Sequence, residues 1–98
     1  MLVITGGVAV SPDEVAAITA AAATFAAECR QESGNIDYRL SWDISEPNRI
    51  VLHEAWDDVP SYDLHTTQPH VAAWTTRIAA ASLAAPAFTK YDSTPHTP

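Results

Sequence analysis

The spacing of apolar residues changes several times along this chain, and each change marks an element. The opening run Leu2–Val10 is apolar and β-prone, with Gly6 and Gly7 inside it. Paired glycines within a strand mark a bulge or a close backbone approach. In the "SPDEV" that follows, Ser11 suits an N-cap, Pro12 the first helical position, and Glu14 the far side of a capping box. Val15, Ile18, Ala22, Phe25 and Cys29 then recur at steps of three and four, one stripe of an amphipathic helix whose other faces are mostly alanine. Ser33-Gly34 ends it. From Asn35 the period becomes two: Ile36, Tyr38, Leu40, Trp42 and Ile44 alternate with Asn35, Asp37, Arg39, Ser41 and Asp43, a strand with one apolar face. "SEPNR" supplies a turn, and Ile50–Trp56 reads as the returning strand. A turn centred near Pro47 puts Tyr38 opposite Trp56 and Leu40 opposite Glu54. A short helical turn over Ser61–His65 follows. A helix starting around Thr67–Pro69 then carries Val71, Trp74 and Ile78 inward, and "AFTKY" after Pro86 is the last strand.

The predicted order is βαββαβ, an α+β, ferredoxin-like arrangement with both main helices on one face of an antiparallel sheet. It forms one domain over residues 1–92, with a solvated, flexible tail at 93–98. Val3, Val51 and Ala55 fall on the opposite parity and are too apolar to face water, so a face-to-face homodimer is expected.

Charge narrows the function. Twelve acidic residues against five basic ones give a net charge of −7, which disfavours nucleic acid and an anionic membrane surface as partners. Cys29 is the single cysteine, so neither an intrachain disulfide nor a cysteine-rich zinc site is expected. "MLVITGGVAV" lacks a basic n-region and is too short to span a bilayer, so the expected location is cytoplasmic.

The chemistry concentrates in "HEAWDDVPSYDLHTTQPHVAAW", residues 53–74. Glu54 sits on the apolar parity of its strand, where a carboxylate needs a partner or a raised pKa. His65 is its natural partner. Such a pair either pins the helix to the sheet or holds a neutral imidazole ready to take a phenolic proton. His70, Trp74 and Arg77, at i, i+4 and i+7, share a helical face. His70 lies in the first turn, where the helix dipole keeps an imidazole neutral. It can act as base, as hydrogen-bond donor, or simply as a cap. His53 has the opposite parity from Glu54, and no pair among His53, His65, His70 and Glu54 has HExxH-type spacing, so no metal site is expected.

Residues 32–74 resemble the antibiotic biosynthesis monooxygenase family, which includes quinol monooxygenases and polyketide-anthrone oxygenases. The matching features are Glu32-Ser33-Gly34, Glu54-Ala55-Trp56, Asp57-Asp58, His65 and Gln68-Pro69-His70. The resemblance implies a dimeric α+β barrel and oxidation of a quinol or polycyclic phenol by O2 without metal, flavin or haem. It implies aromatic walls from Trp56, Tyr62, Trp74 and Tyr38, with Arg77 beside them, and His65, His70 and Glu54 as the ionisable groups. Trp56 and Tyr62 also read as ordinary core aromatics. Leu52 stands where the anthrone oxygenases carry an asparagine, and Gly6-Gly7 where the haem-degrading branch carries one. The alternative is a non-catalytic dimer of the same fold that binds small hydrophobic ligands.

Overall fold

The computed structural model describes residues 1–97. It runs β1 (Leu2–Ala9), a 3-10 turn (Pro12–Glu14), α1 (Val15–Arg30), β2 (Asn35–Trp42), β3 (Arg49–Trp56), α2 (Val59–His65), α3 (Pro69–Ala81) and β4 (Ala87–Asp92). The strands form one antiparallel sheet in the order β2-β3-β1-β4, the ferredoxin-like topology expected from the sequence. Residues 93–97 carry no regular structure, though the Ser93 amide donates to the Met1 carbonyl at 2.8 Å. The last position of the expected tail, Pro98, lies outside the described residues. Among the described residues no helix is long and apolar enough to cross a membrane.

Local chemistry explains most boundaries. The capping box does not form: Ser11 makes no side-chain cap, and the 3-10 turn led by Pro12 delivers the chain to α1 instead. α2 starts two residues before the expected position because the Asp58 carboxylate accepts from the Ser61 amide at 2.9 Å, capping the helix. α3 opens as expected, with Pro69 in its first turn.

The β2–β3 register differs from expectation by two residues. Tyr38 pairs with Glu54, Leu40 with Leu52 and Trp42 with Ile50. The turn centres on Glu46 rather than Pro47. Asp43 closes it by accepting from the Ser45 and Glu46 amides at 2.7 and 3.2 Å, and Asn48 takes a left-handed φ of 58°. Ile44 is left fully exposed in that turn, and Ile36 is exposed where the pairing shifts between Asn35 and Asp37. Because the slip is an even number, every remaining side chain keeps its predicted face.

Two clusters fill the space between sheet and helices. Leu2, Ile4, Phe25, Ala26, Cys29, Tyr38 and Trp56 form one. Val8, Val10, Ile18, Ala22, Ile50 and Ala81 form the other. Leu40 and Trp74 pack against both. On the opposite sheet face, Ala55 is already buried within the chain, its single methyl set between the cross-strand neighbours Val3 and Asp37. Val3 and Val51 are half-buried there.

Candidate active site

β1 alternates Leu2, Ile4, Gly6 and Val8 toward the helices, so Gly6 leaves a gap in the apolar floor between the two clusters. Its cross-strand partners are Leu52 and Phe88, and Phe88 fills the place that a side chain on Gly6 would take. A cavity of about 200 Å³ opens beside Leu52 and Phe88. Its walls include Phe25, Tyr38, Leu52, Trp74, Ile78 and Phe88. Phe25 and Trp74 stack with centroids 4.8 Å apart and planes 7° from parallel, and Tyr38 meets Phe25 edge-on at 5.5 Å. Flat rings thus line an apolar slot between α1, α3 and the sheet.

Behind Phe25 and Tyr38 lies a buried ionisable network centred on Glu32, in the turn between α1 and β2. Its Oε2 accepts from His65 Nδ1 at 2.8 Å and from His70 Nε2 at 3.1 Å. The short Thr66–Gln68 link between α2 and α3 turns both imidazoles toward the end of α1. His65 is buried and lies against Trp56 at 4.7 Å and Tyr38 at 5.6 Å between ring centroids. Its Nε2 is 3.9 Å from Glu54 Oε1, which accepts from Trp56 Nε1 at 2.8 Å. His70 is the more open of the two, its ring tilted against Phe25 at 5.9 Å and its Nδ1 3.8 Å from Glu28.

Electrostatics follow burial. Desolvation raises the Glu54 pKa, and the negative charge of Glu32 adds to this against the opposing pull of the Trp56 N–H and of His65. Burial also pushes up the Cys29 thiol, reinforced by Glu32 and Glu54. The Tyr38 hydroxyl rises for the same reasons, burial first, with the charges of Glu54 and Glu32 adding to it. One atom each from Cys29, Glu32, His65 and His70 lies within 4.8 Å of the others. Chain spacing gave no hint of this grouping, because Cys29 reads as one position of a helical stripe and Glu32 as the end of a helix.

The expected site residues fall into three places. Tyr38 and Trp74 line the cavity. Glu54, His65 and His70 belong to the network behind it, together with Trp56, which is fully buried and does not line the cavity. Tyr62 packs on Trp56 and His65, with Lys90 Nζ 4.7 Å from its ring centroid. Arg77 is not part of this ensemble. The inward stripe Val71, Trp74, Ile78 and Ala81 leaves it about 100° round the helix from Ile78, in an exposed groove with Glu14 and Thr76. His53 faces away, 3.5 Å from Asp37 Oδ2. Glu32, Phe25, Cys29 and Phe88 also contribute: the sequence marks Glu32 as part of the Glu32-Ser33-Gly34 motif and Phe25 and Cys29 as helix-stripe positions, but assigns none of the four to the site.

A family profile described as antibiotic biosynthesis monooxygenase matches residues 1–77. Among curated proteins, none matches the sequence. The fold is shared with solved structures at low identity. A Deinococcus radiodurans protein named for the same family is 22% identical, with 100% of this chain and 97% of that one covered and a TM-score of 0.90. A second so named, from Nitrosomonas europaea, is 22% identical over 95% and 98% of the two chains, with a TM-score of 0.87. A Mycobacterium tuberculosis protein is 18% identical over 99% and 98%, also at 0.87.

Proposed function

Because the chain belongs to the antibiotic biosynthesis monooxygenase family, we propose that it inserts oxygen from O2 into a one- or two-ring quinol or phenol held in the cavity beside Trp74, without a metal, flavin or haem taking part. The observation that carries this reading is the pairing of an apolar slot lined by stacked rings with a partly buried Glu32–His65–His70 network behind its wall. Size selects the substrate. An apolar cavity of about 150 Å³ admits benzene, so about 200 Å³ suits one or two fused rings and is small for a polycyclic ketide.

Direct reaction of triplet O2 with a closed-shell phenol is spin-forbidden, but a phenolate can give O2 one electron. The protein's task is then to make the phenolate and to keep water from the radical pair. His70, the more open imidazole of the network, is the base for the phenolic proton, which must pass the Phe25 ring that stands between His70 and the cavity. Its Nε2–H is held by Glu32, which leaves Nδ1 as the basic atom, and the carboxylate stabilises the imidazolium that forms. The phenolate transfers an electron to O2, and the phenoxyl and superoxide radicals join through a new C–O bond at a ring carbon. The peroxide takes the proton back from His70, and the resulting hydroperoxide loses water as that carbon loses its hydrogen. Phenol plus O2 thus gives quinone plus water, with one atom of the O2 in each. Trp74, Phe25 and Phe88 hold the ring flat and dry, and Tyr38 orients it from the β2 side.

The test is oxygen uptake with a two-ring quinol such as menadiol, in EDTA, against an anaerobic control. Uptake coupled to product, falling about 10²- to 10⁴-fold in His70→Ala as expected for loss of a general base, supports the reading. Turnover that ignores O2, or that EDTA abolishes, contradicts it. Quenching of tryptophan fluorescence by the quinol with no oxygen consumed points instead to a carrier of small hydrophobic ligands.

A further inference from the structure

We propose that Cys29, Glu32, His65 and His70 form a binding site for a borderline-soft divalent cation, Zn2+ foremost. The four side chains come from three separate segments: the last turn of α1 (Cys29), the turn after it (Glu32), and the two sides of the α2–α3 elbow (His65 and His70). Their donor atoms already lie within 4.8 Å of one another, and Glu32 Oε2 sits 2.8 Å from one imidazole nitrogen and 3.1 Å from the other. Tetrahedral zinc, with bonds of about 2.0–2.3 Å, needs donors roughly 3.3–3.7 Å apart. The imidazoles must therefore draw back slightly from Glu32 and the widest separation must close by about an ångström, within reach of side-chain rotation.

The donor set selects the ion. One sulfur, two imidazole nitrogens and one carboxylate oxygen match Zn2+ and its spectroscopic substitute Co2+. Ca2+ and Mg2+ need more oxygen donors than the group offers. Charge agrees. Glu32 and the neighbouring Glu54 are both largely buried, and among the described residues neither pairs with a lysine or arginine. Their ion-pair partners are histidines alone, so a cation would supply the fixed positive charge that no lysine or arginine provides there. Cys29 and His65 are enclosed, while His70 keeps a fifth of its side chain open and gives the ion a way in.

The site stands apart from the catalytic reading, but one consequence rests on that reading. A bound cation occupies a nitrogen of His70 and the carboxylate that supports it, so a metal-loaded chain loses its base. Metal then acts as an off-switch for a reaction that itself runs without metal.

Titration of the full chain with Co2+ alone tests the site. We expect a saturable one-to-one thiolate-to-cobalt charge-transfer band in the near ultraviolet, removed by added Zn2+, and a Zn2+-dependent rise in melting temperature. Cys29→Ser should abolish the band. His70→Gln, at a partly open position that a folded chain tolerates, should weaken Co2+ binding at least tenfold while circular dichroism stays unchanged. No saturable band in the wild type, or binding that both variants leave intact, overturns the site. Oxygen uptake by the EDTA-treated chain, freed of EDTA, that saturating Zn2+ does not suppress overturns the switch. Absence of any uptake in EDTA, with Co2+ binding intact, overturns the catalytic reading and leaves the site standing.

Discussion

Glu54 stands mid-strand with an indole N–H on one side and an imidazole on the other, and its carboxyl stays uncharged to higher pH than an exposed glutamate does. The linkage has a definite sign. The folded chain holds a proton that the unfolded chain releases near pH 4.3, so stability falls as pH climbs from that value through the raised one. Glu54→Gln keeps a carbonyl for the Trp56 N–H and removes the titration. Urea midpoints measured across that range should decline with pH less steeply in the variant than in the wild type. Cys29 and Tyr38 act alike at alkaline pH: both are held neutral in the fold, so stability should erode as pH passes their unfolded values of about 8.5 and 10. Strand parity places Glu54 inward, because a carboxylate among alternating apolar residues is conspicuous. Its expected partner His65, however, hydrogen-bonds Glu32 instead and stands 3.9 Å from Glu54, which accepts from the Trp56 N–H. Glu32 escaped that logic. It lies in a turn, where no periodicity reports direction, and its tie to His65 spans 33 positions.

At the scale of elements, alternation in β2 and β3 was legible because one face of the sheet is buried, and that fixes which side chains point inward. Register was not legible to better than two residues. It is set by the Asp43 carboxylate and the left-handed Asn48 within the turn, and the sequence "DISEPNR" is compatible with more than one centre. The start of α2 was readable in principle from Asp58 preceding Val59-Pro60, a capping residue ahead of a first-turn proline. Paired glycines in β1 signalled a close approach, and Gly6 bears this out, since a methyl there would meet the Ala87 carbonyl oxygen and the Phe88 ring. Gly6→Ala must therefore push β4 outward. We expect a loss of about 1–3 kcal/mol in urea unfolding, the usual cost of overpacking, with faster amide exchange in β4 than in β3. Unchanged stability and exchange would mean that the strand pair absorbs the methyl freely.

The whole molecule presents one well-covered sheet face and one partly bare one. Val3 and Val51 are half-buried on the bare side, and Tyr91 from β4 is half-exposed on the same parity. We expect two copies to associate through this face, burying on the order of 1,600 Å² in total. Sedimentation equilibrium should give a dimer, and Val51→Asp, which sets a charge within this face, should shift it toward monomer. A wild-type monomer at high micromolar concentration would remove the expectation. Net charge works against non-specific association. At −7, chains repel at long range and adhere only where apolar surface is in register.

β4 lends Phe88 to the cavity wall, yet all six of its residues are exposed and its sole ladder is to β1. Lifting α3 to admit a guest would tear Trp74 from both halves of the core, whereas unzipping one outermost strand disturbs only a single row of hydrogen bonds. The easiest doorway into the slot is therefore a frayed margin of the sheet. Whatever clamps that margin, a second copy resting alongside included, will set how fast guests come and go.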